Sequence, residues 1–185
     1  MRADGMDKKY WNLLMADQLD RLSLPEQFAA GALAFLDSAH RLCIVLSRSP
    51  RKATFERGVV VLYLAVHSIE LFLKGAILRK AALGKLAHDL DCLYERYEEL
   101  YPESRYKLQI PFRTNCPDSM SPSDKQAFKK RTPPPDQLFR YPTDRLGKSW
   151  GGAHGFEANS FKIELTTLRQ DFERLIIAYD NKPQS

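Results

Sequence analysis

The chain has 185 residues, 44% of them apolar and 28% charged, with 28 Lys+Arg against 23 Asp+Glu for a net charge of +5. That balance is globular and excludes a wholly disordered, collagenous or disulfide-scaffold protein. The length suits a single domain, 1–185, with one ordinary core.

Met1 to Tyr10 carry Arg2, Asp4, Asp7, Lys8 and Lys9 and no apolar run, so no secretory signal is expected there. Trp11, Leu14, Met15, Leu19 and Leu22 follow steps of three and four and predict a first helix over about 8–22. Ser23-Leu24-Pro25-Glu26 reads as a capping box, in which the Ser23 hydroxyl accepts from an orphan N–H, Pro25 suits the first turn and Glu26 reaches back. The second helix sets Phe28, Ala32, Phe35, Leu36, Ala39, Cys43 and Leu46 on one face. It should stop near Ser49-Pro50, because a residue before proline avoids the α region.

The third helix is expected from about Thr54 to Ala82, with Gly84 as its C-terminal stop. Val59 to Val66 is apolar all round, which marks a central helix surrounded by partners. The β-branched start would also suit a strand, but no turn chemistry breaks the run and the spacing beyond His67 is helical. Gly58 to Leu73, interrupted by His67, Ser68 and Glu70, falls short of the ~20 apolar residues a membrane span needs. It is therefore read as a core helix, and no membrane is expected. The fourth helix places Leu90, Leu93, Tyr94, Tyr97 and Tyr101 on one face and ends at Pro102. The last carries Phe161, Leu165, Leu168, Phe172, Leu175, Ile176 and Tyr179, with Asn159 or Ser160 as N-cap.

These elements predict an all-α fold, an up-and-down bundle of about five helices. Leu138 to Tyr141 and Phe156 to Ala158 could add a small hairpin. Residues 102–160 form a long, basic, proline-rich insertion before the last helix. Eight of the eleven prolines and the whole excess of positive charge lie within 101–150. Proline lacks the N–H a helix interior needs, so this segment should be irregular. It is either a solvated loop whose charge aids solubility or a phosphate- or RNA-contacting loop with Lys129, Lys130 and Arg131 as its densest cluster.

Cys43, Cys92 and Cys116 are odd in number and make no Cys-x-x-Cys motif, which points to a reducing compartment and hence to the cytoplasm. Gly147-Lys148-Ser149 resembles the end of a P-loop, but Pro142 stands where the first glycine would be. His67 and Glu70 share a helix face. A metal would need further ligands and no His-Glu-x-x-His pattern exists, so a polar pair satisfied within the bundle is expected, with no metal and no cofactor. Glu70 and Lys74 stand four apart in the favourable order on a very apolar helix. They are either an ion pair facing a gap between neighbours or part of a ligand groove. His88 and Asp89 suit a helix start, where Asp89 favours the dipole and caps free N–H groups. Alternatively Lys74, His88 and Arg140 converge on a pocket where phosphate meets a helix N-terminus and cations.

Ala65-Val66-His67-Ser68-Ile69-Glu70-Leu71-Phe72-Leu73-Lys74, followed by Ala87-His88-Asp89-Leu90-Asp91-Cys92-Leu93, resembles the HEPN family. There a helix with a Glu-x-x-x-Lys pattern is followed by a short link and a His-Asp-Leu start to the next helix. Arg140-Tyr141-Pro142 resembles an Arg-Tyr-Pro element of some relatives. The resemblance covers mainly residues 55–100. It implies a bundle of about five helices, a homodimer, nucleotide or RNA binding, and a prokaryotic toxin–antitoxin or defence setting, often beside a nucleotidyltransferase-like partner encoded next to it. Glu70, Lys74, His88, Asp89, Arg140 and Tyr141 are the ligand-binding candidates. Ribonuclease members share an arginine and a histidine with four to six residues between them. Here eight residues separate Arg79 from His88, and eight separate Arg145 from His154. A non-catalytic or diverged member is therefore expected. The alternatives are a metal-independent endoribonuclease using His88 or His154 with an arginine, and a module that only dimerises or holds a partner protein.

Overall fold

In a computed structural model, the described residues are 19–82, 88–111, 121–124, 139, 143 and 156–180. Four α-helices of more than ten residues make an all-α bundle: α1 (Leu24–Ser47), α2 (Phe55–Leu78), α3 (Leu90–Leu100) and α4 (Ala158–Asp180). No β-strand occurs among the described residues. α1 packs chiefly on α2 and α4, and α3 packs on α2.

α1, α2 and α3 begin within a residue of where the sequence places their starts. Ahead of α1, the Glu26 carboxylate accepts from the Ser23 N–H at 2.7 Å and from the Ser23 hydroxyl at 2.6 Å, so Glu26 reaches back as expected and the hydroxyl donates to it. The helix expected over 8–22 lies mostly outside the described residues. Its last residues form a turn closed by Leu22 N–H to Leu19 C=O at 2.9 Å, not helix. α1 ends at Ser47, and Pro50–Lys52 forms a 3-10 turn into α2.

α2 is the core helix. Val61, Ala65, Val66, Ile69, Phe72, Leu73, Ala76 and Ile77 are all buried. The Ser68 hydroxyl, also buried, donates to the Ala32 carbonyl of α1 at 2.7 Å. The expectation that Val59 to Val66 is surrounded on every side is corrected at Val60, which lies on a side of the helix that reaches the surface and is 48% exposed. α2 also stops at Leu78, four residues short of Ala82, and Gly84 lies outside the described residues. α1 and α2, 24 residues each, are long and apolar enough to cross a membrane by length and composition, a test the shorter stretch 58–73 did not meet. Most of the apolar window of α2 is turned into the bundle.

Two further boundaries move. α4 starts at Ala158, so neither Asn159 nor Ser160 is its N-cap. The Glu157 carboxylate takes that place and accepts from the Asn159 and Ser160 N–H groups at 3.0 and 2.7 Å. Ala158 is therefore helical and buried, and it makes no hairpin strand; Leu138, Arg140 and Tyr141 lie outside the described residues. The start of the supposed irregular insertion is likewise packed structure. Ser104–Tyr106 is a 3-10 turn, and Tyr106 and Leu108 are buried. Their carbonyls accept from the Tyr97 and Tyr94 hydroxyls at 2.6 and 2.7 Å. The Arg174 guanidinium of α4 donates to the carbonyls of Arg105 and Lys107 on the same segment. This bonding satisfies backbone groups that a buried loop would leave orphaned.

Candidate functional site

Glu70 sits near the middle of α2 and is 5% exposed. A carboxylate buried there must be paired. Its Oε1 accepts from the Lys74 Nζ at 2.6 Å, one turn along the helix, and lies 2.8 Å from the His88 Nδ1. The other oxygen, Oε2, is 3.7 Å from the His67 Nδ1. Glu70, Lys74 and His88 thus meet at one point, because the polar face of α2 is turned towards the residues that open α3. The pair read from the sequence as facing a gap is a buried pair joined to the next element.

Burial alone would raise the Glu70 pKa. The hydrogen bonds from Lys74 and His88, with their charge, outweigh it and hold the carboxyl below its ordinary value. An ionised carboxylate can only accept, so the shared proton in the His88 contact belongs to the imidazole Nδ1. The far side of the ring is left open: the His88 side chain is 68% exposed, against 13% for Lys74. A buried carboxylate therefore orients an imidazole that reaches solvent. His67, by contrast, is half-buried and flanked by rings, with Phe35 edge-on at 4.5 Å and Tyr63 parallel at 6.0 Å.

Asp89 does not point into this cluster. It is the N-cap of α3, and its carboxylate accepts from the Asp91 and Cys92 N–H groups at 2.9 and 3.3 Å. It fills the anion position at that helix start itself. Arg140, Tyr141, Lys129, Lys130, Arg131 and His154 lie outside the described residues. No group of three or more His, Cys, Asp or Glu placed to hold a metal occurs among the described residues. Cys43 is buried, which pushes its thiol up to about 11, the behaviour of a core residue rather than a nucleophile.

Sequence reasoning missed a second polar region. A cavity of about 220 Å³ is lined by Arg79, Lys80, Tyr101, Tyr106, Tyr179 and the start of α1. Lys80 Nζ donates to the Leu100 carbonyl at 2.6 Å and lies 4.1 Å from the Tyr101 ring centre, and Arg79 pairs with Asp180 at 2.9 Å. The tyrosine stripe of α3 was visible in the sequence, but nothing local signals that two cations from the end of α2 close over it. Arg79 is paired with Asp180 and Lys80 is held by a carbonyl and a ring, so both cations of this cavity already have partners.

No family model, no curated protein and no solved structure matches this chain.

Proposed function

We propose that this chain is a HEPN-like helical domain that binds a phosphate-bearing ligand, RNA or a nucleotide, beside the Glu70–Lys74–His88 cluster. The supporting observation is convergence. The residues that carry the resemblance lie 18 positions apart in the chain and share one carboxylate oxygen in the fold. In this reading His88 contacts the ligand through its open edge, Glu70 orients it, and Lys74 keeps the buried carboxylate ionised. The cytoplasmic location, the homodimer, the prokaryotic toxin–antitoxin or defence setting and the neighbour-encoded nucleotidyltransferase-like partner belong to the same proposal.

The test is binding of a labelled single-stranded RNA and of a labelled nucleotide by wild type and by His88→Ala. His88 is exposed, so the variant should fold. The reading requires wild-type binding that His88→Ala weakens at least severalfold. Equal binding by both, or none by either, overturns it.

A second reading has its own observation. An imidazole oriented by a carboxylate at 2.8 Å, with its other nitrogen reaching solvent, is the arrangement of a general base. It supports metal-independent RNA cleavage by His88. RNA left intact by the purified protein after long incubation removes that reading and leaves the first in place.

A further inference from the structure

The turn between α1 and α2 concentrates unpaired positive charge. Arg48, Arg51, Lys52 and Arg57 are all exposed, and Glu56 is the one carboxylate among residues 48–57. Glu56 is engaged with its own helix start through Thr54 and the backbone. Among the described residues outside this turn, every arginine but Arg21 is paired with a carboxylate. Arg41, Arg79, Arg96, Arg105, Arg169 and Arg174 each have a carboxylate oxygen within 2.9 Å. Among the described residues Arg48, Arg51 and Lys52 have no such partner, and Arg57 donates only to the Lys52 carbonyl, at 3.3 Å. Outside 48–57 the described residues hold eleven basic and sixteen acidic side chains, so among the described residues this turn is a positive segment beside a net acidic remainder.

Phe55 stands among these cations, with Arg51 and Lys52 before it and Arg57 after it. It is 69% exposed, more than any other large apolar residue on the described surface. Beside it opens a cavity of about 140 Å³ between the first turns of α2 and Phe156, lined by Ala53, Thr54, Gly58, Val59 and Leu62. The Phe156 ring fills the place a Cβ on Gly58 would take, at 3.0 Å, so the floor of this cavity is close-packed.

We infer that the α1–α2 turn is a docking point for single-stranded nucleic acid, with Arg48, Arg51, Lys52 and Arg57 on successive phosphates and Phe55 as the ring on which a base stacks. Unpaired cations release counterions when phosphates replace them, and an exposed ring between cations suits a base between its flanking phosphates. An anionic membrane offers phosphate too, but it calls for a broad apolar face, and here one ring stands among four charges. The site rests on the nucleic-acid reading above and lies on a different surface from His88.

The experiment is fluorescence anisotropy with a labelled oligouridylate across a salt series, alongside sedimentation with phosphatidylserine vesicles. The variants are Arg48→Gln/Arg51→Gln/Lys52→Gln and Phe55→Ala, all at exposed positions, with unchanged melting as the control for folding. The triple variant should lower the slope of log K against log salt by roughly 2, at about 0.7 per phosphate contact on a single strand. Phe55→Ala should weaken binding about tenfold at unchanged slope. Oligouridylate binding that both variants leave unaltered overturns the inference, and if His88→Ala abolishes it the binding reading of the previous section still stands. A nucleotide held through His88 with no binding of the oligonucleotide also sinks this site alone. Vesicle binding that depends on these residues, without oligonucleotide binding, assigns the turn to lipid and refutes it.

Discussion

Replacing Glu70 by Gln removes one charge and almost no volume from the centre of the bundle. Lys74 then keeps its charge at 13% side-chain exposure without the carboxylate 2.6 Å away, and His88 loses an ionised acceptor at 2.8 Å. Orphaning one partner of a buried ion pair costs about 3–5 kcal/mol, but the amide oxygen still accepts one bond and the Lys74 stem can carry its ammonium outward, so roughly 2–4 kcal/mol is expected. For a chain of this size each kcal/mol is worth about 2–4 °C, which places the fall in Tm near 5–15 °C. Urea unfolding at neutral pH, with a shared m-value, measures the loss. The decisive companion is Glu70→Met/Lys74→Met. Removing both charges leaves no buried charge unpaired, and the exposed His88 can turn to water, so the double variant should be more stable than Glu70→Gln. A Glu70→Gln loss below about 0.5 kcal/mol, the usual size for a surface substitution, would refute the burial argument. A double variant weaker than the single would refute the pairing argument.

Phe72 and Phe172 stack at 3.9 Å between ring centres, and both are buried. Each truncation to Ala should cost ~3–5 kcal/mol, and the double variant should lose less than the sum because the second removal only enlarges an existing void. Thermal melts of the four proteins check this. Acid should destabilise the protein in a defined window. Hydrogen bonds from the backbone of Asn159 and Ser160 hold the Glu157 carboxyl down to about 2, from an ordinary value of 4.5, and Glu70 is also lowered. A depressed folded pKa gives stability that is complete above the unfolded value and is lost as pH falls through the folded one. Melting temperature should therefore drop as pH falls from about 4.5 to about 2, and Glu157→Gln should make that drop shallower. A Cβ at Gly75 would stand 3.0 Å from the Pro25 carbonyl oxygen and from the Phe28 Cβ. Gly75→Ala gains about 1 kcal/mol of helix propensity, yet overpacking against backbone costs ~1–3 kcal/mol, so calorimetry should show no gain and a net loss.

The helices were legible because burial imposes a period. The stripe from Phe28 to Leu46 could face only one way, and the fully apolar centre of α2 required neighbours on several sides. The Glu70–Lys74–His88 cluster was legible in part. Helical register put the first two on one face, and the short link put His88 within reach of it. What escaped were features decided by tertiary contact. α2 ends at Leu78 with Arg79 on Asp180 and Lys80 on the last carbonyl of α3, a partnership over twenty residues or more that no local propensity encodes. Residues 103–108 read as loop by composition, yet the hydroxyls of Tyr94 and Tyr97 and the guanidinium of Arg174 take up their carbonyls. Glu157 was passed over as a cap for the shorter side chains after it, although its carboxylate reaches two N–H groups at once.

The link between α2 and the start of α3 can be read directly from the His88 ring. In histidine-labelled protein at mildly alkaline pH, a long-range proton–nitrogen spectrum shows which nitrogen holds the proton. The Glu70 contact requires it on Nδ1, and Glu70→Met should release that preference. A proton on Nε2 in wild type, unaltered by Glu70→Met, would mean that Glu70 does not hold His88, and the proposed binding cluster would fall with it.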